Sequence, residues 1–117
     1  MNQGVYLALF RLPRAQTITI GRLGRFTFPS GIYVYVGSAQ RNLQARLARH
    51  ARRRKSLRWQ IDYLSTRADF VGALLVDGPK SLECQLAALL AQHYPRAVPG
   101  FGASDCRCGG HLFRVSA

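Results

Sequence analysis

The stretch that most limits what this chain can become is Gly4-Val-Tyr-Leu-Ala-Leu-Phe-Arg-Leu12. It is apolar almost throughout and bounded by a glycine and by Pro13, so it reads as a buried strand. Thr17-Ile-Thr-Ile20 and Arg25-Phe-Thr-Phe28 alternate cleanly on either side of a turn-like Gly21-Arg-Leu-Gly24 and predict a hairpin. After Pro29-Ser30-Gly31, residues 32–36 predict another strand, with Tyr33 and Tyr35 on one face by the two-residue repeat. Helices are expected over residues 43 to about 54, capped by Asn42; 57 to about 66, capped by Ser56; and 82 to about 94, capped by Ser81. On the first, Leu43, Leu47 and Ala51 form the apolar stripe, with Arg46, Arg49, His50 and Arg53 on the other side. On the second, Leu57, Ile61 and Leu64 face inward and Arg58 can pair with Asp62. On the third, Leu82, Leu86, Leu89 and Leu90 are core. Residues 69–76 form a strand and residues 111–115 an edge strand. The expected class is α+β in a single domain over 1–117: a small, mainly antiparallel mixed sheet flanked by about three helices, with an inserted hairpin.

Charge says what such a domain meets. Seventeen Lys and Arg stand against five acidic residues, and fifteen of the seventeen are Arg, whose planar fork of donors suits phosphate oxygens. The densest run, Arg49-His50-Ala51-Arg52-Arg53-Arg54-Lys55, lies at one helix end and favours nucleic acid over a merely solvated surface. No apolar run is long enough to span a bilayer, and the amino terminus reads as no secretory signal, so a soluble cytoplasmic protein is the expectation. Cys84, Cys106 and Cys108 are odd in number, and reduced thiols are the simpler reading. Cys106-Arg-Cys108-Gly-Gly-His111 is a partial zinc pattern with too short a cysteine gap. Asp62, Asp69, Asp77, Glu83 and Asp105 are too few and too scattered for a two-metal site. Glu83, in the first turn of its helix, has a favourable dipole contact as its plainer explanation. His50, among cations, is expected to have a lowered pKa and to be available as a base.

The chain resembles the GIY-YIG nucleases. Tyr35-Val-Gly-Ser-Ala39, Leu43-x-x-Arg46-x-x-x-His50 and the glutamate of Leu82-Glu83-Cys84 carry the likeness. Arg58-Trp59-x-Ile-Asp-Tyr-Leu64 and Phe101-Gly-x-Ser-Asp-Cys-x-Cys108 followed by His111-Leu-Phe are similar to the Uri-type branch, found alone or fused to an endonuclease III domain. In that family the two tyrosine motifs lie on neighbouring antiparallel strands. Gly31-Ile-Tyr33 shares a strand with Tyr35-Val-Gly37, so the better first half is Gly4-Val5-Tyr6, with the hairpin inserted between the halves.

The resemblance implies a DNA endonuclease using one Mg²⁺ (or Mn²⁺). Tyr6 would assist deprotonation of water with help from His50, Tyr35 would position phosphate or water, Arg46 would stabilise the phosphoryl group, and Glu83 would hold the metal. Gly37, Ser38, Arg41, Arg49, Arg53, Arg54, Lys55 and Arg58 are the candidate DNA contacts. Gln60 stands where the branch has histidine, and the late asparagine of many members has no counterpart beyond Ser104 or Asp105. A catalytically silent nucleic-acid-binding module is the alternative.

Overall fold

The computed structural model describes residues 2–102 and 109–116. Its centre is β1 (Gly4–Leu12), which pairs antiparallel along its whole length with β4 (Gly31–Ala39), from Gly4 opposite Ala39 to Leu12 opposite Gly31. β5 (Asp69–Val76) flanks β1, and β6 (Leu112–Ser116) closes the other edge beside β4. The order β5-β1-β4-β6 is antiparallel at every pairing. The class is α+β, as the sequence predicts, and the main sheet is antiparallel rather than mixed.

Between β1 and β4 the chain forms the hairpin β2 (Gln16–Ile20) and β3 (Gly24–Phe28), a sheet of its own. Its alternation does what a half-buried hairpin requires. Ile18, Ile20 and Phe28 enter the core, while the Thr17 and Thr27 hydroxyls meet 3.0 Å apart on the outside.

The two faces of β1 have different cover. Tyr6, Ala8, Phe10 and Leu12 lie in the larger core with Tyr33 of β4, under α1 (Leu43–Ala51) and α2 (Gln60–Ser65). Val5, on the opposite face, packs with Val36, Phe113 and Ala87 beneath α3 (Ser81–Ala91). Among the described residues no helix is long and apolar enough to cross a membrane.

The helix boundaries depart from the expected ones for identifiable reasons. Asn42 takes a left-handed conformation (φ 56°) and its side chain caps nothing; Asn2 supplies the acceptors instead, its Oδ1 for the Asn42 amide and its carbonyl for Leu43. α1 stops at Ala51 because Lys55 folds back, its Nζ donating to the carbonyls of Arg49 (2.8 Å) and His50 (3.3 Å). α2 begins at Gln60 and not after Ser56, since Asp62 accepts from the backbone amides of Arg58 and Trp59, both at 2.8 Å. Ser81 is the first residue of α3 and Lys80 its cap. Leu57 and Leu89, expected in the core, are exposed, because the shortened α2 excludes the first and the second lies off the buried face of α3.

Asp62 also joins the two helices. Its carboxylate, fully buried, takes both ends of the Arg49 guanidinium at 2.7 and 2.8 Å, so its partner is Arg49 of α1 and not the Arg58 side chain. Burial pushes the Asp62 carboxyl up, but the Arg49 pair and the two amides outweigh it and hold the group below the usual aspartate range. Removing the charge leaves the largely covered Arg49 guanidinium and the Lys55 ammonium beside it without their counter-ion. Asp62→Asn should therefore lower stability by about 3 kcal/mol, measured by urea unfolding at neutral pH.

Candidate active site

Tyr6 anchors the site because of what it faces. In the β1–β4 ladder it lies opposite Gly37, and a Cβ at Gly37 would come within 2.5 Å of the Tyr6 ring carbon Cζ and its hydroxyl. Glycine at this position lets the ring lie across β4. Tyr35, two residues back on the same face, is then a diagonal neighbour, its ring centroid 6.4 Å from that of Tyr6. Tyr33 is on that face too but is core: it is fully buried, packs on Phe28, and its hydroxyl donates to the Pro29 carbonyl at 2.6 Å.

The Tyr6 hydroxyl shares a 2.7 Å hydrogen bond with His50 Nε2. His50 was expected on the polar side of α1; it is instead 1% exposed and faces inward. The physical reason is helical spacing, since His50 is seven residues from Leu43 and three from Leu47 and so belongs to their stripe. Burial is the main cause that lowers its pKa to about 4, followed by the positive charge of Lys55, with Asp62 opposing and Arg46 and Arg49 adding to the fall. The expected direction was right, but the cations are secondary to desolvation. His50 Nδ1 is buried and has no hydrogen-bond partner among the described residues. Burial raises the Tyr6 hydroxyl well above an ordinary tyrosine, with Arg46 pulling the other way. At neutral pH both groups are uncharged.

Arg46 is held in place rather than free to swing. Its Nη1 donates to the Ser38 carbonyl at 2.7 Å and its guanidinium lies 4.5 Å from the Trp59 ring centroid, with Arg49 at 4.4 Å from the same ring. Glu83, in the first turn of α3, is buried except for a small part of its side chain, and its Oε2 is 3.9 Å from His111 Nδ1. That same imidazole nitrogen lies 3.2 Å from the Val36 carbonyl, which ties the pair to β4.

Tyr6, Tyr35, Arg46, His50 and Glu83, from β1, β4, α1 and α3, all line one cleft of about 530 Å³. Ser38, Arg41 and Arg58 line it as well. The other candidate DNA contacts lie elsewhere. Gly37 is beneath Tyr6, Arg53 donates to Asp69 at 2.9 Å, and Arg54 is exposed outside the cleft. Arg49 is committed to Asp62 and Trp59, and the Lys55 side chain is 3% exposed against the end of α1. The basic run therefore does not form one free surface: its two best-placed cations are absorbed by buried carbonyls and a carboxylate.

The cleft also contains residues the sequence reading did not assign to it: Gln40, Trp59, Lys80 and Gly102. Gly102 has φ +71°, and a Cβ there would come within 2.9 Å of Tyr35 Cε1. Its amide donates to Gln60 Oε1 at 2.5 Å, so Gln60 fastens this turn beside Tyr35. The cue was present in Phe101-Gly102, although nothing local tells that its backbone meets α2.

Among the described residues no three His, Cys, Asp or Glu side chains are grouped to hold a metal. Among the described residues Glu83 is the one acidic side chain lining the cleft. A single carboxylate fits Mg²⁺, which keeps several waters and completes its shell with substrate phosphate oxygens. Cys106 and Cys108 of the zinc pattern, and Ser104 and Asp105, lie outside the described residues.

Two outcomes follow from this geometry. Gly37→Ala should drive the Tyr6 ring off β4, costing on the order of 1–3 kcal/mol in thermal or urea unfolding. His50 has a folded pKa below its unfolded value of 6.5, so the unfolded chain binds the extra proton and stability falls as pH drops from 6.5 towards 4. In His50→Gln that part of the pH dependence, followed by melting temperature, should vanish, leaving the loss below about pH 4 as Asp62 protonates.

No curated protein and no solved structure shows a significant match to the chain. One family model, described as Domain of unknown function DUF123, matches residues 5–117, nearly the full length, and the chain belongs to that family.

Proposed function

We propose that this protein is a metal-dependent DNA endonuclease of GIY-YIG type, hydrolysing phosphodiester bonds in the Tyr6 cleft. The observation that carries this reading is the convergence of Tyr6, Tyr35, Arg46, His50 and Glu83 on one cleft, with Tyr6 bonded to a neutral histidine. The surrounding charge of +12 agrees with a polyanionic substrate.

The chemistry follows from the protonation states. Burial disfavours a free tyrosinate, so Tyr6 cannot wait as a preformed base. It can take a proton from the attacking water as its own proton passes to His50 Nε2, 2.7 Å away. Arg46, fixed by Ser38 and Trp59, presents its guanidinium to the phosphoryl oxygens as the water oxygen bonds to phosphorus and the leaving oxygen departs. Tyr35, at the cleft wall, orients the phosphate or the water. Glu83 would hold a Mg²⁺ or Mn²⁺ ion, which when bound supplies positive charge for the leaving oxygen. Arg41, Arg58 and Ser38, which line the same cleft, would contact the flanking backbone.

A second reading, a silent nucleic-acid-binding module, draws on Gln60, whose carbonyl oxygen is used in fastening Gly102 and which cannot exchange protons. Metal-titrated cleavage of single-stranded, duplex and branched DNA separates the two. Binding without a metal-dependent product on any substrate would favour the module. For the endonuclease, Glu83→Ala and Arg46→Ala should each reduce cleavage at least about 100-fold with the fold intact by circular dichroism. Tyr6→Phe should cripple cleavage and Tyr33→Phe should hurt less, since the Tyr33 hydroxyl is spent on Pro29. If the glutamate and arginine variants cut like the parent, the site is misassigned.

A further inference from the structure

β5 is the feature that the cleft does not use. It is an edge strand that pairs with β1 on one side, and no described strand lies on the other, so one row of its amides and carbonyls faces outward. Such an edge is usually blunted by charge, yet Phe70-Val-Gly-Ala-Leu-Leu-Val76 carries none in a chain of net charge +12. Its side chains are also unusually open, with Val71 58% and Leu74 61% exposed and Leu75 partly so. Leu74 lies opposite Leu7, on the sheet face of which α3 covers the Val5 end.

The ends of the strand differ in charge. Asp69 sits between Arg53 at 2.9 Å and Arg11 at 3.7 Å, one carboxylate with two guanidiniums, which leaves an excess positive charge. At the other end Asp77 is exposed and negative. An antiparallel copy of the same strand brings each negative end towards the partner's positive end.

We propose that β5 is a homodimer interface, at which two copies pair antiparallel about a two-fold axis and extend their sheets into one. The bulge at Val71, skipped between the Leu9–Gly72 and Phe10–Phe70 pairs, limits the regular edge to residues 72–76. A two-fold centred on Leu74 uses that segment fully, places the two Leu74 side chains side by side, and sets Leu75 across from Ala73 of the other copy. The uncharged centre is what allows two strongly basic chains to approach, and the charged ends favour the antiparallel direction. No β5 residue lines the Tyr6 cleft, so both clefts stay open. The inference does not rest on the endonuclease reading.

The test is sedimentation equilibrium of the full chain over a range of concentrations, with folding checked by circular dichroism. The parent should rise to twice the monomer mass, and Leu74→Arg should remain at the monomer mass. Asp77→Arg, which keeps the apolar strand and serves if Leu74→Arg fails to fold, should weaken association at least about 10-fold. Adding Arg53→Asp to it should restore much of the loss. A parent that is monomeric at every concentration overturns the proposal. So does a dimer whose association is unchanged by both Leu74→Arg and Asp77→Arg, which would place the contact elsewhere.

Discussion

The antiparallel register of β1 against β4 positions the two tyrosines at the centre of the cleft. Because Tyr6 is opposite Gly37, its ring crosses the neighbouring strand, its hydroxyl reaches α1, and Tyr35 becomes its diagonal companion. A slip of one residue would turn Tyr6 onto the α3 face and Val5 under α1. The nine paired positions and the burial of alternate residues on β1 together hold that register.

Scarce acidic residues do much of the remaining work. Asp62 joins α1 to α2 and starts α2; its hold on Arg49 keeps that guanidinium against Trp59, on which Arg46 also lies. Glu83 is reserved for the cleft, and Asp69 gathers Arg11 and Arg53 beside β5. In so basic a chain Asp62 and Asp69 each gather the cations around them, which is why the Arg and Lys run after His50 is divided between structure and surface.

Much of the frame was legible because it is written in local periods. The two-residue alternation of Thr17–Ile20 and Arg25–Phe28 and the nearly unbroken apolar run of β1 report burial directly, while the apolar run over residues 69–76 reports a strand but not its burial. The choice of Tyr6 over Tyr33 followed from the single-strand placement of Tyr33 and Tyr35 together with the resemblance. Less legible were caps and faces. Asn42, Ser56 and Ser81 are chemically suitable caps, but Asn2 reaches the start of α1 from the amino terminus and Asp62, inside α2, caps that helix from its own first turn. His50 was read by its polarity when its spacing from Leu43 and Leu47 was the better guide.

The sequence by itself determined the α+β class, the inserted hairpin, the excess of guanidinium groups and the candidate set Tyr6, Tyr35, Arg46, His50 and Glu83. The first three depend on residue type and short-range spacing, whereas the candidate set rests on the resemblance as well. Only the tertiary structure decided that Tyr6 bonds to His50, that Gln60 fastens Gly102 beside Tyr35, and that Arg49 and Lys55 turn inward while Arg41 and Arg58 line the cleft. Each of these contacts joins parts of the chain through packing and desolvation, and whether a charge or hydroxyl finds water or a partner depends on which distant surface folds over it.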